Sequence, residues 1–172
     1  MRFKIFSSLV LTALIILGGC AGTSNWTKMT TPTDPNYFYA TGTAESKNLQ
    51  LALDKAAMSA RTEIGRQMEL KLNSLQKSFA EEVGNEDTEL HQLYSAATKA
   101  VVSAQLMGSK IKESKHREKN GKYLAVVMVE YPVQEANKAL VNQIKKDQNL
   151  YTRFRASQGF KELEAEIEKI EN

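Results

Sequence analysis

Few residues in this chain are equipped for bond-making chemistry. There are two histidines, His91 and His116, and one cysteine, Cys20, in 172 residues. A single thiol cannot close a disulfide within the chain, and one Cys with two His falls short of the usual zinc ligand sets. The sequence has no Gly-x-Ser-x-Gly elbow, no glycine-rich phosphate loop, no His-Glu-x-x-His pair and no Asp-rich calcium loop. His91 falls near the start of a predicted helix and His116 in a charged strand. Each reads as a solvated or locally hydrogen-bonded residue unless the fold brings the two together. Glu63 and Glu69 fall on the polar sides of a helix, and no neighbouring pattern marks either as an acid or a base. The residues point away from an enzyme, and they predict no metal and no cofactor.

Cys20 carries a different chemistry, set by what precedes it. Arg2 and Lys4 open the chain, an apolar run of residues 5–17 follows, and Leu17-Gly18-Gly19-Cys20 ends it. The run is too short to span a bilayer, which takes about 20 residues, and has the layout of a secretory signal peptide. Leu17 three places before the cysteine, with only small residues between, resembles the bacterial lipobox. That resemblance implies cleavage before Cys20 and acylation of its thiol and of the new amino group. Two acyl chains suffice for stable membrane attachment, whereas one gives only marginal binding. Ala21, rather than an Asp, follows the cysteine, which favours the outer membrane over retention at the inner one.

Cleavage also changes the charge argument. The full chain has 23 basic and 20 acidic residues. Losing residues 1–19 removes Arg2 and Lys4, leaving 21 against 20. The basic excess that would suggest a nucleic-acid partner nearly vanishes, and aromatic residues do not interleave with the Lys/Arg runs.

The elements that would carry any function are legible from periodicity. Residues 1–19 are read as signal peptide, 20–35 as a lipidated flexible tether, 36–146 as an α+β domain and 147–172 as a charged C-terminal helix. Trp26 fits either the lipid interface or the first residue of the folded domain. Tyr37, Phe38, Tyr39 and Thr41 suggest a short strand, and Glu45, Ser46 and Asn48 supply helix-start chemistry. Leu49, Leu53, Ala56, Ala57, Ala60, Ile64, Met68, Leu72, Leu75 and Phe79 then form one apolar face on a helix of about 33 residues, roughly 50 Å long. So long a helix must project, bend or pack on something beyond the sheet.

A second helix from about residue 87 turns Leu90, Leu93, Tyr94, Ala97, Val101 and Ala104 inward and completes an αα-hairpin. Residues 109–119 read as an exposed, charged edge strand. Asn120-Gly121 reads as a tight hairpin turn, and residues 123–131 as a strand covered on both faces. Pro132 opens a helix to about Lys146. Phe160, Leu163, Ile167 and Ile170 form a short apolar seam that needs a partner surface. The expected fold is α+β: a small antiparallel or mixed sheet of about three strands packed on a long αα-hairpin, with C-terminal helices.

In order and spacing these motifs resemble a known group. Gly42-Thr43-Ala44, the Ala-rich helix start through Ala60-Arg61 and Ile64, Gly108-Ser109-Lys110-Ile111, and Gly121-Lys122-Tyr123 running to Pro132 together look like the bacterial LPP-twenty lipoprotein family. The resemblance covers roughly residues 36–146. It implies a small α+β domain on a lipid tether with a tendency to multimerise. The family includes a flagellar assembly lipoprotein that builds a disk or ring at the outer membrane.

Charge adds a candidate contact. Glu81, Glu82, Glu86, Asp87 and Glu89 cluster at the helical hairpin tip, while Lys110, Lys112, Lys115, Arg117, Lys119 and Lys122 outnumber Glu113 and Glu118 on the strands. These are either solvated faces or a self-association pair. In the second case Glu81, Glu82 and Glu86 of one subunit meet Lys112, Lys115 and Arg117 of the next, a head-to-tail contact that can close into rings. The resulting expectation is an outer-membrane lipoprotein, membrane-bound through its N-terminal lipid. It would be a homo-oligomeric envelope component with envelope or flagellar partners. The alternative is a periplasm-facing module that binds peptidoglycan, a polysaccharide or another envelope protein.

Overall fold

A computed structural model describes residues 26–83 and 88–168. Its elements are β1 (Tyr37–Ser46), α1 (Leu49–Val83), α2 (Thr88–Gly108), β2 (Lys110–Lys119), β3 (Lys122–Pro132), α3 (Val133–Ile144), α4 (Gln148–Ala156) and α5 (Gln158–Glu168). The sheet is wholly antiparallel in the order β1-β3-β2, so the apolar strand lies at the centre and the charged strand at an edge. Asn120 and Gly121 both take positive φ, 55° and 68°, as a two-residue turn between right-twisted strands requires. The α+β class is the one expected from the sequence, and the described residues form three strands and five helices.

Alternation along β3 divides the apolar residues between two cores. Ala125, Val127, Val129 and Tyr131 face α1 and belong to the main core. Val126 and Met128, 0% and 1% exposed, face the other way and pack with Met29, Trp26 and Tyr39.

The α1 helix begins where Asn48 Oδ1 accepts the Leu51 amide at 3.0 Å, an N-cap at the position the sequence suggests. It runs back antiparallel to β1. Ala56 and Ala60 lie against Gly42, and Gln67 Nε2 donates to the Tyr39 carbonyl at 3.1 Å. Beyond Gln67 the helix leaves the sheet, and its remaining apolar face is covered by α2, α4 and α5. Phe79, Tyr94, Phe154 and Phe160 form an aromatic cluster there with ring centroids 5.5 to 5.9 Å apart. The long helix is therefore covered along its length by packing within the chain. Its first half packs on the sheet and its second half on helices.

Two boundaries differ from expectation. The C-terminal region is two helices rather than one, each with its own cap. Asp147 Oδ1 accepts the Leu150 amide at 2.8 Å, and Ser157 Oγ accepts the Phe160 amide at 3.2 Å. Leu150, Phe154, Phe160 and Leu163 are buried in the main core, so residues 147–168 belong to the same folded unit as residues 36–146. The partner surface for the described part of the seam is thus the same chain, where α5 packs on α1, α3 and α4, while Ile170 lies outside the described residues. At the other end, residues 26–35 are not a free tether, because Trp26 and Met29 are packed onto the outer face of the sheet.

Candidate functional site

The topology holds the basic strand residues and Glu81 and Glu82 at opposite ends of α1. Ser46 pairs with Tyr123 and Lys119 with Lys122, so the start of α1 and the β2–β3 turn share one end of the sheet. From there α1 runs 35 residues, roughly 50 Å at 1.5 Å per residue, to the acidic tip at Glu81 and Glu82. α2 begins at that tip and returns alongside α1. Gln76 Nε2 donates to the His91 carbonyl at 3.2 Å, and Tyr94 Oη to the Leu72 carbonyl at 3.3 Å.

Register places the basic side chains on the outer face. Residues directly opposite each other in a sheet share a face. Lys115 pairs with Val126 and Arg117 with Leu124, putting both on the side that carries Trp26 and Met29. All ten residues of β2 are exposed. Lys112 occupies a β-bulge between Ile111 and Glu113, which aims it across the strand. Its ammonium lies 2.8 Å from Glu130 and 5.3 Å from the Tyr39 ring centre, and the Glu130 hydrogen bond holds its pKa above the usual lysine value. Lys115 pairs with Glu113 at 2.9 Å, and Lys122 with Glu45 at 2.7 Å, which likewise raises the Lys122 pKa. Arg117 lies 4.4 Å over the Trp26 ring, within cation–π range. Beside it a depression of about 270 Å³ is lined by Arg117, Lys119, Lys122, Asn120, Leu124 and Glu45.

Trp26 was legible as an oddity but not as part of this site. It belongs to the folded domain, and the segment after it crosses the outer face diagonally. Trp26 sits beside Arg117 near the turn end, Met29 lies over Val126 and Met128, and Asn36 reaches the far end, where its carbonyl accepts the Val133 amide at 2.8 Å. The described part of the chain therefore starts at the basic end of the sheet.

The other candidate residues are dispersed. Cys20 and Glu86 lie outside the described residues. Glu81 is exposed at the tip. Glu82 is engaged within its own chain, since both carboxylate oxygens lie 2.8 Å from the Gln158 amide at the start of α5. There a negative charge meets the positive end of a helix dipole. Glu81 and Glu82 thus occupy the opposite end of α1 from Lys115 and Arg117. His91, in the first turn of α2, and His116, on β2, are likewise kept apart. Glu63 forms a surface pair with Arg66 at 2.6 Å, which lowers the carboxyl pKa and raises that of the guanidinium. Among the described residues no group of three or more His, Cys, Asp or Glu is placed to hold a metal ion, and no helix is long and apolar enough to cross a membrane. No protein-family model matches the chain, and no curated protein or solved structure matches it.

Proposed function

We propose that this chain is a lipid-anchored outer-membrane protein with a structural, non-catalytic role in the cell envelope, where copies associate side by side. The observation that carries the reading is the Leu17-Gly18-Gly19-Cys20 sequence behind a short apolar leader, six residues ahead of Trp26, which is packed on the sheet. The family resemblance, with its multimerising and flagellar members, supports a role as a subunit of a disk or ring.

The fold constrains how copies could meet. Anchored in one leaflet, they stand in parallel, and the acidic tip of one is held roughly 50 Å along α1 from the basic strand of the next. Contact between Glu81 or Glu82 and Lys112, Lys115 or Arg117 is then out of reach within a single layer. Lateral contacts along α1, where Leu51, Met58 and Leu70 are 46%, 59% and 58% exposed, fit parallel copies better. The C-terminal seam is not available, because Phe160 and Leu163 are buried against the chain itself.

The test is mass spectrometry of the mature N-terminus together with native size in detergent. Acylated Cys20 in a particle of many chains is the expected result. An intact Met1 or a free Cys20 thiol removes the anchor, and a single-chain particle removes the structural assembly.

A further inference from the structure

We infer that the β2–β3 turn end of the domain docks on an anionic phospholipid surface, with Arg117, Lys119 and Lys122 seated among the headgroups. The inference rests on the lipid anchor proposed above and adds an orientation to it. Three observations converge.

The first is reach. Six peptide steps separate Cys20 from Trp26, spanning at most roughly 20 Å. The headgroup layer on each side of a bilayer is itself about 5 to 8 Å deep. Because Trp26 is fixed beside Arg117 by ring stacking, the turn end cannot move far from the bilayer.

The second is charge. Arg117, Lys119 and Lys122 converge on one depression whose single acidic member, Glu45, is already paired with Lys122 at 2.7 Å. Lys115 lies two residues from Arg117 on the same face, paired with Glu113, and Lys28 is exposed on the segment that crosses it. Counting Lys112 and its partner Glu130 as well, cations outnumber anions on this face.

The third is the opposite end. Glu81 and Glu82 at the far end of α1 have Arg153 and Arg155 of the α4 C-terminus beside them, so that end offers no comparable cationic surface free of nearby acids, and the turn end is the one suited to an anionic surface. Trp26 itself is an interfacial residue type, with an apolar ring and a polar N–H.

The chain's single tryptophan makes the contact measurable. The lipidated mature protein is reconstituted in phosphatidylcholine vesicles with or without phosphatidylglycerol, each containing a headgroup nitroxide that quenches Trp26 at short range. Stronger quenching on the anionic vesicles is expected, together with loss of the difference in 1 M salt, where the screening length is about 3 Å. Each surface Lys or Arg shifts binding to such a membrane roughly fivefold. The K119Q/K122Q double variant should therefore shift the docked-to-undocked ratio about twenty-five-fold toward undocked, while Arg117 still covers the probe. Circular dichroism of the variant establishes that it is folded.

Equal quenching on neutral and anionic vesicles overturns the docking, as does a difference that survives both high salt and the double variant. Mass spectrometry of the same preparation reads Cys20 separately. Unmodified Cys20 sinks the anchor and the docking with it, whereas acylated Cys20 with lipid-independent quenching sinks the docking alone.

Discussion

Replacing Gly42 by alanine tests the packing on which the whole fold depends. On propensity alone the change should help, because glycine inside a strand is about 0.5 to 1 kcal/mol worse than alanine. The structure gives the opposite sign. A Cβ on Gly42 would lie 2.1 Å from the Ala56 carbonyl oxygen, 2.6 Å from the Ala60 nitrogen and 3.0 Å from the Ser59 Cβ. Side-chain carbons essentially never come within 3.0 Å of such atoms, so strand and helix must part by about 0.9 Å at the closest contact. Two of the three obstacles are main-chain atoms and cannot rotate aside. The retreat opens the interface formed by Ala52, Ala56, Ala57 and Ala60, all 0 to 3% exposed.

Overpacking of this kind costs about 1 to 3 kcal/mol, and rigid obstacles put Gly42→Ala at the upper end. Set against the propensity gain, the net loss is about 2 kcal/mol. Urea unfolding of the Cys20→Ser chain, followed by circular dichroism and Trp26 fluorescence, measures it. Thr43→Ala, one residue along and exposed, is the control and should stay within about 0.5 kcal/mol of the parent. Adding Ala56→Gly should not rescue the variant, since the obstacle is a carbonyl oxygen that glycine also carries. A neutral or stabilising Gly42→Ala, or rescue by Ala56→Gly, would refute the reasoning.

Phe154→Ala removes a ring that touches Phe79, Tyr94 and Phe160, and should cost about 3 to 5 kcal/mol in the same assay. Glu82→Ala takes the acceptor from the first amide of α5 and should cost about 1 kcal/mol, with hydrogen exchange rising in α5 before α1. Burial raises the phenol pKa of Tyr94, and burial with the nearby Glu135 charge pushes Tyr131 up to about 12. Both rings hold their protons more tightly folded than unfolded, so their contribution is complete below pH 10 and is lost as pH rises above it. The slope should reach about 1.4 kcal/mol per pH unit for each. Tyr94→Phe should flatten the alkaline limb of a thermal-midpoint profile, and an unchanged limb would contradict this assignment.

Local signals in the sequence translated well into local structure. The period of α1, the Asn48 cap, the Asn120-Gly121 turn and the continuous apolar run of β3 each depend on neighbours within a few residues. What covers an apolar face is a different matter, because periodicity shows that a face is buried without naming its cover. The seam at Phe160 and Leu163 therefore suggested a partner, although α1, α3 and α4 of the same chain are the cover. Residues 26–35 lack periodicity although Trp26 and Met29 pack on the sheet, and nothing local announces so sparse an apolar contact. The break at Ser157 was hidden because apolar residues recur on both sides of it. Gly42 stood in the sequence as part of a family-like motif, and its close approach to α1 is a contact between distant segments. The charge clusters were legible as compositions, while their placement at opposite ends of one helix required the topology.

The way residues 26–36 lie across the sheet also matters when the chain is under load. In a protein held through Cys20, a pull on the anchor enters the domain at Trp26 and Met29 and bears on side-chain packing before it reaches the backbone ladder of β1. If that packing gives way, these eleven residues become slack, adding roughly 35 to 40 Å to the tether. The attachment point moves at the same time from the turn end of the sheet to Tyr37, opposite Pro132. In the proposed lipid-anchored form, this small patch of packing would act as a fuse in series with the anchor, lengthening the leash before any part of the α1–sheet core is stressed.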